Sequence, residues 1–377
     1  MSPNLSDGLR MDRSEIVIAR EHDREALRRA LRGKKIEQVR RGAYRDRPAT
    51  TGDRYRDATD RAVARVVAVG TQIRRAWVSH ESAALLHGLR LWQLPERVHV
   101  IQGYRASSAS ARDIARHRLT LGAHERTTVD GLAVTSLERT VADCCVSLHP
   151  LLALVVADHA LALGMDLQAA RESVVSMRDV RGRRRALLVL ELVDRGAESA
   201  WETWLRYLVL RAGLPRPVTQ LRVSTPHGEF RADLGWTAFR LLAEFDGRVK
   251  YVPGALGAGH DAEGALFDEK RREDHLREER WGVVRVTSSD GAGPAVARIL
   301  RHVPDEIRTN LRPLRLLPPP PPPPPPAPAP ARATPARATP TARARGTAAG
   351  TPARRAPAAG APAAPDRGTR AGRTNDR

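Results

Sequence analysis

The stretch RADLGWTAFRLLAEFDGRVKY, residues 231–251, places Asp233, Glu244, Asp246 and Lys250 close together in an otherwise apolar setting. In a strand, alternate residues share a face. Leu241, Ala243 and Phe245 then point into a core, while Glu244 and Asp246 point the other way together. GWTAF has the length to fold RLLAEFD back onto RADL, which sets Asp233 beside Glu244. Two carboxylates at that separation repel unless a cation lies between them. Oxygen-only ligands with room for water suit a hard divalent ion, Mg²⁺ or Mn²⁺. Such an ion activates water and neutralises charge on a phosphate. Lys250 then orients the attacking water or meets the developing charge. A strand with a polar solvent face would carry the same residues, so spacing alone leaves both readings open.

Positioning those groups requires a helix, a hairpin, a second helix and a final strand. SAWETWLRYLVLRAGLP has apolar residues at 201, 204, 205, 208 and 209, one face of a helix that Gly213 ends and Pro215 stops. The charged segment LFDEKRREDHLREER predicts a helix with Lys270, Asp274 and Arg277 along one face. WGVVRVTSS predicts a buried strand. Glu202 lies one turn before Arg206, at a spacing that permits an ion pair between them.

Upstream, DREALRRALRGKK predicts a short basic helix with Asp23 as N-cap, Ala26, Leu27, Ala30 and Leu31 on its apolar side, and Gly33 as its stop. KIEQVRRGAYRD predicts a basic hairpin turning at Gly42. A short basic helix followed by a basic hairpin is the pattern of a winged helix. Arg24, Arg28, Arg29, Arg32, Arg40 and Arg41 are its candidate phosphate contacts. SHESAALLHG predicts a helix capped by Ser79, RVHVI and DGLAVTS predict strands, and SLERTVADCCVSL predicts another helix. Residues 151–195, rich in Ala, Leu and Arg, read as a helical connector.

The chain has 377 residues, a net charge of +20 and a sequence pI near 11.2, which favours a polyanionic partner. Residues 318–377 hold 17 of the 28 prolines and a net +8, so part of that charge belongs to a Pro/Ala/Arg-rich tail expected to be disordered. Aromatics make up 4%, too few for a single-strand stacking platform. The two cysteines, Cys144 and Cys145, are adjacent, cannot staple a fold, and fit a reducing cytoplasm. The longest apolar run, PLLALVVADHALAL, is too short for a bilayer and is broken by Asp158 and His159. His80, His87, His99, His117 and His124 show no HExxH spacing and read as helix-start or core-edge residues rather than metal ligands.

SAWETWLR, AGLPRP, RADLGW, EFDGRVKY, EKRREDHL and WGVVRVTSSD occur in an order that resembles very-short-patch-repair-like endonucleases, a branch of the PD-(D/E)XK superfamily. The resemblance implies Asp233, Glu244 and Asp246 as metal ligands and Glu202 as a helix-borne acid near them. Asp246 stands where the superfamily often has lysine, and Lys250 or Lys270 would replace it. The front half, through DREALRRALRGKKIEQVRRGAY, VSHESAALLHGL and DGLAVTSLERTVADCC, resembles the AbiEi family of type IV antitoxins. That likeness implies a winged helix on promoter DNA.

The resulting expectation is an α/β (α+β) multidomain chain. It comprises a winged-helix-like domain at 12–75, an AbiEi-like middle domain at 76–150, the connector at 151–195, a restriction-endonuclease-like domain at 196–303 and the tail. Its partners would be double-stranded DNA and a cognate toxin, with no membrane. It would be either a metal-dependent DNA endonuclease or a non-catalytic regulator that uses a retired nuclease fold for binding.

Overall fold

The computed structural model describes residues 11–105, 111–178, 180–246, 271 and 274–322. The architecture is mixed α and β, with three sheets packed around one extended apolar core that runs from Met11 to Leu317.

The first sheet joins β1 (Val17–Ile18), β3 (Ala43–Asp46) and β2 (Ile36–Arg40) in that spatial order, all antiparallel. Between β1 and β2 lies α1 (Arg24–Arg32), where the Asp23 carboxylate accepts from the amides of Glu25 and Ala26 as a helix N-cap should. Two details differ from expectation. Gly33 keeps an ordinary φ, and Lys34 takes the left-handed conformation instead. Among the described residues no α-helix precedes α1: residues 17–18 form the edge strand of the sheet, because the β-branched pair Val17 and Ile18 suits an extended backbone.

The hairpin rests on α2 (Arg54–Gln72), a helix of 19 residues. Asp53 caps it, and Val63, Val66, Val67 and Val69 are buried along it. Buried Arg45 ties β3 to Glu37 at 2.7 Å and to Asp60 of α2 at 2.8 Å.

The second sheet has the order β6-β5-β4-β8-β7, with β4 (Trp77–Val78), β5 (Val98–Gln102), β6 (Ile114–Arg118), β7 (Arg126–Val129) and β8 (Leu132–Thr135). Asp130 and Gly131, both at positive φ, make the two-residue turn between β7 and β8. α3 (His80–Leu86) and α4 (Leu137–Ser147) pack against each other, with α3 also against β5. Cys144 and Cys145 are buried free thiols in α4.

The segment expected at 151–195 as a helical connector is helical, and its first helix lies buried in the core. α5 (Pro150–Ala162) is buried from Pro150 to Ala160 and packs against α4, α7 (Arg183–Leu192) and α8 (Ala200–Arg211), while α6 (Leu167–Ser176) lies on α4 and α7. Hydrophobicity on every side of α5 is what a central helix requires. Its one carboxylate, Asp158, and its partner, Arg206 of α8, are each fully buried. Asp158 accepts from Arg206 at 2.6 and 2.7 Å, from Thr203 Oγ1 at 2.8 Å and from the Asp194 amide at 2.9 Å. Arg206 also donates to the Leu192 carbonyl. Next to the pair, His159 Nδ1 accepts the Arg90 amide at 3.1 Å.

The third sheet has the order β12-β11-β10-β9: β9 (Val218–Thr225), β10 (Gly228–Trp236), β11 (Leu241–Asp246) and β12 (Gly282–Thr287). β9, β10 and β11 are antiparallel neighbours, whereas β12 runs parallel to β11. α8 and α9 (Ala292–Leu300) pack on one face, and the short α10 (Asp305–Arg308) follows. The chain then returns along α8. Gly213, at φ +86°, sits where a Cβ would come within 2.5 Å of the Arg312 backbone. The tail expected to be disordered from 318 starts docked: Tyr207 donates to the Pro318 carbonyl and a His149 ring nitrogen lies 3.0 Å from that of Pro319. Residues 323–377 lie outside the described part. Among the described residues no helix is long and apolar enough to cross a membrane.

Two outcomes follow from the central helix. Replacing Asp158 by Ala strands the Arg206 cation in the core, and chemical denaturation should show a loss of roughly 3–5 kcal/mol, most of it recovered in Asp158→Leu/Arg206→Met. A loss below about 1 kcal/mol would put the pair on a par with a surface contact. Burial, with Arg90 nearby, holds His159 at about 4, below its ordinary 6.5. The unfolded chain therefore binds a proton that the folded chain refuses, so stability present above pH 6.5 is lost as pH falls toward 4. Thermal midpoints across that window should fall less steeply in His159→Gln than in the wild type.

Candidate functional site

The acids of the opening stretch lie on the third sheet. Leu241, Ala243 and Phe245 face the main core, as alternation predicts, with Phe245 stacked on Trp201 of α8 at 4.8 Å. Leu242 on the opposite face joins a second cluster with Val223, Ala232 and Leu276. Glu244 and Asp246 share that opposite face beyond Leu242 and are half-buried.

Register then aligns polar residues across the sheet. The pairs Thr219↔Leu234 and Leu221↔Ala232 bracket Gln220 opposite Asp233. Leu234 pairs with Ala243, which leaves Asp233 and Glu244 as the next residues of their strands beyond the last registered pair, and Glu244 pairs with Arg285 on β12. The row therefore reads Gln220, Asp233, Glu244, Arg285 from β9 to β12. Gln220 holds a left-handed backbone at φ +52°, uncommon for a residue with a side chain.

The expected juxtaposition of Asp233 with Glu244 lies one residue beyond the last registered pair, and each carboxylate has a partner other than a cation. The ladder between β10 and β11 stops at Leu234↔Ala243, and past it the Asp233 carboxylate takes the Phe245 amide at 2.7 Å. The Glu244 carboxylate lies 3.6 Å from the Arg285 guanidinium. Each acid thus has a compensating partner of its own.

Glu202 stands in the first turn of α8, where Ser199 caps the helix by accepting its amide. It does not pair with Arg206, whose guanidinium turns inward to Asp158. Its carboxylate accepts from the Glu198 amide at 2.8 Å and from Gln220 Nε2 at 3.0 Å. Burial pushes this carboxyl up from its ordinary value, with Glu198 adding to the effect. Glu202 thereby joins the row through Gln220. Lys250 and Lys270 lie outside the described residues. On the helical segment at 274–278, Asp274 and Arg277 are exposed and 3.6 Å apart.

The basic N-terminal residues divide into two groups. Arg24, Arg28, Arg29, Arg32 and Arg41 are exposed on α1 and at the hairpin turn. Arg40 is committed internally: it donates to Asp113 at 3.0 and 3.3 Å and to Gln72 of α2, which removes it from the set of free phosphate contacts.

Three of the histidines expected to be helix-start or core-edge residues come together in a second polar centre. His80 at the start of α3, His99 on β5 and His117 on β6 bring three ring nitrogens within 4.8 Å of one another. They are far apart in sequence and match no short motif, so only the parallel pairing of β5 with β6 and the placement of α3 reveal them. Diagonal positions on a parallel pair share a face, which was the only available signal. Among the described residues the acids of the third sheet form no comparable trio of donor atoms.

No family model matches the chain. Two Mycobacterium tuberculosis sequences, the uncharacterized proteins Rv2248 (strain H37Rv) and MT2308 (strain CDC 1551), are each 29% identical over 183 residues, 46% of this chain. The chain spans 63% of the length of these curated relatives. Among solved structures, the Rv2827c protein of Mycobacterium tuberculosis aligns at a TM-score of 0.31 and 16% identity, over 50% of this chain and 75% of that one.

Proposed function

We propose that the chain binds double-stranded DNA and that its third sheet carries a metal-dependent endonuclease site. The observation that supports this reading is the row Gln220–Asp233–Glu244–Arg285, with Glu202 attached from α8. A mixed four-stranded sheet that lines up two carboxylates where its ladder opens, with a half-buried acid from the packing helix, is a hard-ligand set suited to Mg²⁺ or Mn²⁺. Asp233 and Glu244 would hold the ion and Asp246 would complete its shell. When bound, the ion supplies water activation and charge neutralisation. Arg285 offers a cation to a phosphate oxygen beside Glu244. Glu202 positions Gln220, and Lys250 takes the part of the lysine that is absent at 246. The exposed arginines of α1 and the hairpin turn would track the DNA backbone.

A second reading has its own support. Arg285, 3.6 Å from Glu244, competes with a metal for that carboxylate. In this reading the chain is a regulator or antitoxin, partnered by a toxin, whose sheet binds without cutting.

Incubation of a supercoiled plasmid with wild-type protein and Mg²⁺ or Mn²⁺ separates the two. The endonuclease reading expects nicking that Asp233→Asn and Glu244→Gln abolish and Lys250→Ala slows, with all variants still binding DNA. Binding without cleavage in either ion would leave the regulator reading. For the basic face, Arg28→Ala/Arg29→Ala/Arg41→Ala should weaken binding to unrelated duplexes alike and flatten the salt dependence by about 0.9 in log–log slope per lost contact. Arg40→Ala should instead lower the thermal midpoint and leave that slope unchanged. An unaltered slope in the triple variant would remove this face from the interface.

A further inference from the structure

We propose that His80, His99 and His117 form a binding site for a borderline transition-metal ion such as Zn²⁺, separate from the acids of the third sheet. His99 Nδ1 and His117 Nε2 are 3.1 Å apart, and all three rings contribute a nitrogen within 4.8 Å of the others. Two nitrogens on one tetrahedral zinc, with bonds of about 2.0–2.1 Å, sit about 3.3 Å apart. The first pair already matches that edge. The third requires His80 and His117, now stacked with centroids 4.0 Å apart, to turn relative to each other.

The second observation is independent of the rings. Two buried carboxylate oxygens flank the trio without a hydrogen-bond partner among the described residues: Asp143 Oδ2, 4.0 Å from His80 Nδ1, and Glu81 Oε2, 3.9 Å from His99 Nδ1. Both separations are too long for hydrogen bonds. Buried acceptors left open beside imidazoles are what an absent cation would satisfy. The other Asp143 oxygen accepts from Arg139, which also reaches Glu125, so Asp143 is held in place with Oδ2 toward His80.

The surroundings fit a site that exchanges with solvent. A cavity of about 470 Å³ is lined by His80, His117, Arg139, Asp143, Thr120 and Arg178, among others, giving a route in and space for a water or an anion on the ion. His80 starts its helix at φ +53°, a left-handed conformation that a histidine adopts at a cost. Three nitrogens with a carboxylate nearby favour zinc-like ions over Mg²⁺, so the two centres differ in ligand preference.

The test is calorimetric titration of the chelator-treated full chain with ZnCl₂ near pH 7.5. The expected result is one equivalent bound at the trio, lost in His99→Gln/His117→Gln and weakened roughly 10- to 100-fold in Asp143→Asn. Thermal midpoints in chelator establish that each variant is folded. X-ray absorption of the wild-type zinc complex gives a readout without any variant: three imidazole nitrogens in the ion's shell support the site. No stoichiometric binding by the wild type, binding retained in the double variant, or a shell without imidazoles overturns it.

Discussion

The Asp158–Arg206 pair is the constraint on which the remaining structure depends. It lies fully buried between α5 and α8 and satisfies the carboxylate through four hydrogen bonds from three donors. A charge in such a position is tolerated only when paired and hydrogen-bonded, which makes the relative placement of the two helices close to all-or-none. α5 carries the middle sheet's helices on one side. α8 carries the third sheet on the other, through Trp201 and Trp204 against Phe245. Trp92 from the middle part closes on Trp201 at 4.8 Å, so aromatic packing reinforces the same joint. The acid row inherits its position from this joint, because Glu202 leaves α8 one turn before Arg206.

Local features were legible in the sequence because they are encoded locally. The Asp23 cap, the Gly42 turn, the apolar face of α8 with its stop at Gly213, and the inward set Leu241, Ala243 and Phe245 each follow from a period or a cap that a few residues determine. What escaped needs long-range information. α5 looked like a connector because a helix apolar on all sides has no periodic signature, and only the burial of Asp158 shows that it is central. Arg206 was within reach of Glu202 by spacing, yet the core offered a deeper partner 48 residues away. Arg40 likewise looked like a wing arginine until Asp113, 73 residues on, claimed it.

The acid row was half legible. That RLLAEFD would fold back antiparallel onto RADLGW, with its ladder ending at Leu234↔Ala243 beside the two acids, followed from the length of GWTAF. That Gln220 and Arg285 would extend the row did not, because strand order and register across β9 and β12 cannot be read from either strand alone. Their presence changes the electrostatics: an amide and a guanidinium bracket the two carboxylates, and the opened ladder lends one of them a backbone amide. The histidine trio lies at the far limit of legibility, assembled from a helix start and two parallel strands. The result is two polar centres of different chemistry, oxygen-rich on the third sheet and nitrogen-rich beneath α3, held by one continuous core.

The most direct measurement of the central claim is an anomalous difference map from crystals of the full chain soaked in Mn²⁺. A manganese peak is expected between the carboxylates of Asp233 and Glu244, with Asp233 turned away from the Phe245 amide and Glu244 from Arg285. A map with no peak on the third sheet, and with both acids still on those partners, would contradict it and reduce the row to a polar strand face.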